Sequence, residues 1–151
     1  MCIYKKLDEL KIELKYTPAQ ALYVPVKVVG NLVYVSGQIP VLDGKFTSVG
    51  SVGKDVTLEE AQAAARQIAI NTLSVLHEFI GDLNKIKGCV KVLGFVASAE
   101  GFNQQPTVIN AFSQVLLDVF GEDGRHARSA VGTNELPMDV SVEVESIFEL
   151  K

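Results

Sequence analysis

Near the C-terminal end, Val140-Ser-Val-Glu-Val-Glu145 alternates strictly between valine and polar side chains. Successive side chains of an extended strand point to opposite faces, so this stretch reads as a strand with one buried face and one polar face. The valine face must meet helices, and the other face carries Glu143. Fifteen residues earlier, Arg128 stands in an otherwise small and apolar run, Ala127-Arg-Ser-Ala-Val131. Arginine does not shed its proton, so within a sheet it needs an anionic partner or a route to water. If the two strands share a register, Arg128 and Glu143 occupy the same face. From chemistry alone the pair reads equally as a site for a small carboxylate or as an ion pair that registers an assembly.

The rest of the chain supplies the elements that cover such a strand. Ile3, Leu7, Leu10 and Leu14 recur at helical spacing among charged residues, so residues 1–18 read as an amphipathic helical extension, ended by Pro18, that packs on the domain. Residues 23–29 and 32–36 are β-rich runs joined by Gly30-Asn31, a tight hairpin, with Pro25 marking an irregular start or an edge. A smaller hairpin is expected around Asp43-Gly44. Thr57 and Glu60 form a capping box, and Val56 and Ala61 a hydrophobic staple, for a helix that ends at Gly81. Its core stripe is Ala61, Ala65, Ile68, Val75, Leu76 and Phe79, with His77 at the core edge. Residues 89–98 read as a strand. A second helix opens at Pro106, turns Ile109, Phe112, Leu116 and Phe120 inward and stops at Gly121.

This order predicts an α+β domain over residues 19–151, a mixed β-sheet with two helices on one face. An open sheet face beside positions such as Val33 and Val35 points to self-association, with clefts between subunits.

With 48% hydrophobic residues, the 151-residue chain suits one compact domain. Its net charge of -4 and the absence of a basic stripe argue against nucleic acid as a partner. Cys2 and Cys89 have no metal-ligand spacing, and no His/Cys/Asp cluster offers a metal site. Gly50-Ser-Val-Gly-Lys-Asp55 lacks the first glycine and the Ser or Thr of a phosphate loop. The charged N-terminus and the lack of a long apolar run predict a soluble, cytoplasmic protein without membrane contact.

Three segments carry a resemblance: Gly30-Asn-Leu-Val-Tyr-Val-Ser-Gly-Gln-Ile-Pro40, Ala127-Arg-Ser-Ala-Val131 and Leu136-Pro-Met-Asp-Val-Ser-Val-Glu-Val-Glu145. In that order and spacing they resemble the Rid family of reactive-intermediate deaminases, also called the YjgF/YER057c/UK114 family. The resemblance implies a chorismate-mutase-like fold and a homotrimer with three intersubunit clefts. It also implies hydrolysis of small 2-imino and 2-enamino acids, such as 2-iminopropionate and 2-aminoacrylate, to 2-keto acids and ammonia. No cofactor or metal is implied.

By the same resemblance, Arg128 clamps the substrate carboxylate and Glu143 activates the attacking water. Tyr23 forms the cleft wall across the interface, and Ser36 and Gly37 line the pocket. Ala130 offers its backbone carbonyl, and Asn110 falls near a pocket-side asparagine of the second helix. Ala21-Leu-Tyr-Val-Pro25 replaces the family's Gly-Pro-Tyr-Ser-Gln, and His126, read as a rim histidine, replaces a proline, which points to a divergent subgroup. The alternatives are a non-catalytic binder of 2-keto acids and, with less physical support, the endoribonuclease activity by which the family is often labelled.

Overall fold

The computed structural model describes residues 2–18 and 21–151; residues 1, 19 and 20, and with them the expected domain boundary after residue 18, lie outside the described residues. In chain order the elements are α1 (Ile3–Glu9), β1 (Val26–Val29), β2 (Leu32–Gln38), β3 (Val41–Leu42), β4 (Lys45–Phe46), α2 (Leu58–Ile80), β5 (Ile86–Ala97), α3 (Gln105–Phe120), β6 (Ala127–Thr133) and β7 (Val142–Leu150). The main sheet has the order β1-β2-β7-β5-β6, with β5 and β6 parallel and every other pair antiparallel. α2 and α3 cover one face.

The local signals act as expected. Thr57 Oγ1 accepts from the Glu60 amide at 3.1 Å and Glu60 Oε2 accepts from the Thr57 amide at 3.0 Å, closing the capping box. Gly81 ends α2 at φ 84°, and Gly30 makes the hairpin turn at φ 60°. Asp43 and Gly44, both at positive φ, join β3 to β4. Along β7, Val142, Val144, Ser146 and Phe148 are buried while Glu143, Glu145 and Ile147 face the other way. Ala61, Ala64, Ala65 and Ala69 are buried on α2, and their small side chains let the helix pack closely on its neighbours. On β5, Gly94 brings α3 equally close: a Cβ there would stand 2.6 Å from Ile109.

Three expectations fail. The N-terminal helix stops at Glu9 rather than at Pro18, because Lys11 takes φ 55° and turns the chain so that Ile12 is buried. An apolar residue every three or four positions fits such a turn as well as a longer helix. Phe79 is 46% exposed and meets Tyr16 edge-on instead of the core.

The third failure matters most. Residues facing each other across a ladder share a face. Arg128 pairs with Val92, which is fully buried on the helix side, whereas Glu143 pairs with Phe95 on the open side. Arg128 and Glu143 therefore lie on opposite faces of the sheet within one chain. The 50–55 loop also forms no phosphate cradle: the amides of residues 51–56 are bonded to Asp55 Oδ2 or to backbone carbonyls. No helix among the described residues is long and apolar enough to cross a membrane.

Two measurements test this packing. Thr57→Ala opens the capping box and is expected to lower unfolding free energy by about 1 kcal/mol, read as a lower urea midpoint at unchanged slope. The native protein is expected to react with a thiol reagent at exposed Cys2 alone, because burial pushes the Cys89 thiol up to about 12; denaturant should release the second thiol.

Candidate functional site

The structure gathers the expected site residues into two groups. The first surrounds Glu143 on the open face. Between Val35 and Gln38 the pairing of β2 with β7 shifts, and this irregularity places Ser36 and Gly37 beside Glu143. Ser36 is held by its amide to Pro25 O at 2.9 Å and by its hydroxyl to Val24 O at 2.7 Å. Gly37 packs closely on this carboxylate: a Cβ would stand 3.0 Å from Glu143 Oε1, so a side chain there would make Glu143 shift by a few tenths of an ångström.

These residues open on a cavity of about 890 Å³, whose walls include Tyr23, Ser36, Gly37, Phe46, Asn71, Met138 and Glu143. Asn71 donates to the carbonyls of Ile39 and Val41, at 3.0 and 2.9 Å, and so latches the β3–β4 hairpin onto α2. Glu143 is half-buried and makes no hydrogen bond or ion pair among the described residues. Burial, with the neighbouring Glu145 adding to it, raises its pKa above the usual carboxylate range. Lys15, on the same wall, is engaged by Asp43 at 3.1 Å and Glu13 at 3.7 Å. Among the described residues, the cavity therefore has a proton acceptor but no cation free to hold an anion.

The second group surrounds Arg128 on the helix side of β6. Its Nη1 donates to Asn110 Oδ1 at 2.9 Å and to Ser113 Oγ at 3.1 Å, and Nη2 to Pro106 O at 3.4 Å. Asn110 and Ser113 stand three residues apart on one face of α3, which explains why one guanidinium reaches both. All three acceptors are neutral, and Arg128 joins no ion pair among the described residues. Its Nε–H and one Nη2–H remain free, two donors of the fork that matches a carboxylate. Ala130 lies two residues further along β6, on the same side and opposite Gly94. Neither Arg128, Asn110 nor Ala130 lines the cavity beside Glu143.

Ser113 was not among the residues expected at the site, and His126 was read as rim; both belong to the arginine group. His126 Nε2 lies 2.9 Å from Ser113 Oγ and Nδ1 lies 2.7 Å from Gly124 O. The signal for Ser113 was its i+3 spacing from Asn110 on a helix ahead of an arginine strand.

The family described as "YjgF/chorismate_mutase-like, putative endoribonuclease" matches residues 8–150. The chain belongs to this family. The chorismate-mutase-like fold implied by the three segments is thereby shown. Among relatives, Protein TCP17 of Trypanosoma cruzi is 41% identical over 146 residues, 95% of this chain and 91% of its own. The crystal structure of Atu1372 from Agrobacterium tumefaciens, described as of unknown function, is 45% identical with a TM-score of 0.88, covering 98% of this chain and 91% of its own. A structure described as a putative endoribonuclease from Shewanella oneidensis has a TM-score of 0.95 at 30% identity, covering 99% of this chain and all of its own. YjgF-family membership leaves the chemistry of the two groups to be argued from their geometry.

The raised pKa of Glu143 carries a sign. A carboxylate whose folded pKa lies above its unfolded value supports folding fully below the unfolded value, near pH 4.3, and loses that contribution as pH rises through the folded value. Glu143→Gln mimics the protonated form. The variant is expected to melt above the wild type at pH 7, with the gap closing below about pH 4; an unchanged or lower melting temperature at pH 7 would show that the ionised carboxylate is well accommodated.

Proposed function

We propose that the protein hydrolyses small 2-imino and 2-enamino acids to 2-keto acids and ammonia, in sites shared between subunits of a homotrimer. The observation that carries this reading is the state of Arg128: half-buried, oriented by three neutral acceptors, and without a carboxylate partner among the described residues. A guanidinium arranged in this way is ready for an external carboxylate.

The chemistry needs little else. With the carboxylate of a 2-imino acid held at Arg128, the imine carbon is fixed relative to one water. Glu143 takes a proton from that water as its oxygen bonds to the carbon and the C=N electron pair moves to nitrogen. The proton goes to nitrogen, which gives a carbinolamine. Glu143 then moves the hydroxyl proton to that nitrogen as the oxygen electron pair forms C=O and the C–N bond breaks, so ammonia and the keto acid leave. Burial raises the pKa of Glu143, which makes it a stronger proton acceptor than an exposed carboxylate. Tyr23, Ser36 and Gly37 wall the Glu143 half, Asn110 orients Arg128, and Ala130 offers its carbonyl beside it.

Because Arg128 and Glu143 lie on opposite faces, a site using both takes them from two chains. The open face carries Tyr34, Leu93, Phe95, Ile147 and Val131, partly or largely exposed, which supports burial of that face against other copies. Exposed and half-buried Glu143, Glu145 and Glu149 on the same strand oppose a polyphosphate chain, so RNA cleavage is disfavoured. The free thiols Cys2 and Cys89 suit a reducing cytoplasm.

The test is the loss of 2-iminopropionate and 2-iminobutyrate, generated in situ by an amino-acid oxidase. Wild type is expected to accelerate it, and Arg128→Ala and Glu143→Gln to lose at least about a hundredfold in rate. Random mixing of the two inactive variants within trimers is expected to restore about a quarter of the sites, since only an Arg128 chain beside a Glu143 chain completes one. No acceleration by wild type, with 2-oxobutyrate still bound, would make the protein a binder rather than an enzyme. No recovery on mixing would place the two groups in separate functions.

A further inference from the structure

The hydrogen bonds around Arg128 have only one consistent direction. Gly124 O can only accept, so the hydrogen on His126 sits on Nδ1, 2.7 Å away. Burial lowers the pKa of His126; the Gly124 bond opposes this and the nearby Arg128 charge adds to it, so the ring is neutral near pH 7. A neutral ring protonated at Nδ1 carries a lone pair at Nε2, and the Ser113 hydroxyl, 2.9 Å away, must donate to it. With its hydrogen committed, Ser113 Oγ turns a lone pair to Arg128 Nη1 at 3.1 Å. Every link in the chain Arg128 to Ser113 to His126 to Gly124 is satisfied in this sense, and its reversal would leave Gly124 O without a donor.

We propose that His126 and Ser113 form a positioning relay that holds the Arg128 guanidinium with its free fork turned to the ligand carboxylate. The inference rests on the reading of Arg128 as a carboxylate clamp. It assigns to this chain a device that the sequence pattern it resembles lacks, because a proline there offers no side-chain acceptor. Without Ser113, the planar group is held by Asn110 at 2.9 Å and by the long 3.4 Å bond to Pro106 O; the Ser113 bond adds a second short anchor at 3.1 Å and fixes the plane. The neighbouring charges do not compete: Arg125 is engaged with Glu122 through Nε at 3.0 Å and Nη2 at 3.2 Å.

The test is calorimetric titration of the full-length protein with 2-oxobutyrate, alongside imine turnover and melting temperature. His126→Leu, similar in size but without an acceptor, and Ser113→Ala are each expected to weaken binding about fivefold to tenfold. The double variant should bind no more weakly than either single one, as expected for residues acting through one bond. His126→Gln, whose amide oxygen can take the Ser113 hydroxyl, should return affinity to within about threefold of wild type. Turnover should show the loss in KM with kcat retained. Nitrogen NMR of the ligand-free protein should show His126 neutral with its hydrogen on Nδ1.

His126→Leu and Ser113→Ala binding like wild type, while Arg128→Ala does not bind, would overturn the relay and leave the clamp standing. Equal losses in His126→Leu and His126→Gln would overturn it too, by assigning the effect to packing. Absence of 2-oxobutyrate binding by wild type would instead remove the clamp, and the relay with it. Ser113→Ala places a good helix former on α3, so the test survives even if a His126 variant fails to fold.

Discussion

The alternation of β7 is the constraint on which the rest of this structure depends. The strand lies between β2 and β5, so its register is read twice, and one residue of slip would carry Glu143 and Glu145 beneath the helices and expel Val142, Val144 and Phe148. Burying two unpaired carboxylates while exposing three core side chains is far more costly than any local rearrangement could offset. The register is therefore fixed, and with it the facing of Glu143 toward the irregular end of β2. Glu143 occupies that place because the neighbouring valines can occupy no other.

A second constraint comes from the charge that no pH removes. On the helix side of β6, Arg128 loses part of its water and receives three neutral acceptors in exchange. Such partners orient a guanidinium but do not neutralise it. Among the described residues no anion pairs with Arg128, whereas the opposite face holds a carboxylate whose protonation is favoured by burial. Within one chain the two complementary deficits face away from each other. On the function proposed above, assembly is the arrangement that lets one offset the other.

How much of this was legible in sequence depended on the range of the interaction. Thr57 with Glu60, Gly30-Asn31, Asp43-Gly44 and the terminal glycines Gly81 and Gly121 act over four or five residues, and each does what its chemistry prescribes. The β7 pattern was legible because its period is its own evidence. The facing of Arg128 was not: it follows from the parallel pairing of β6 with β5, whose register is set by the α3 crossover and by how deeply Ile109 seats over Gly94. The end of α1 was missed because a turn at Lys11 satisfies the same apolar spacing, and Phe79 because helical period continues past the edge of the core. The three family segments drew attention to residues that the structure divides into two groups on opposite faces of the sheet, a division the segments do not reveal. Ser113 was passed over because its i+3 spacing from Asn110 gains meaning only from the arginine that stands across from it.

The alanine face of α2 has a consequence for how this cavity can change. Asn71 and Val75, on the cavity wall, ride on the same rigid 23-residue helix as Ala61, Ala64, Ala65 and Ala69. A bulkier residue at any of these four buried positions would displace the helix and draw Asn71 from the carbonyls of Ile39 and Val41. The β3–β4 hairpin would then shift, and Phe46 with it. Divergence within such a lineage can thus retune the room beside Glu143 by drift at positions remote from the cavity, leaving every residue of its walls unaltered.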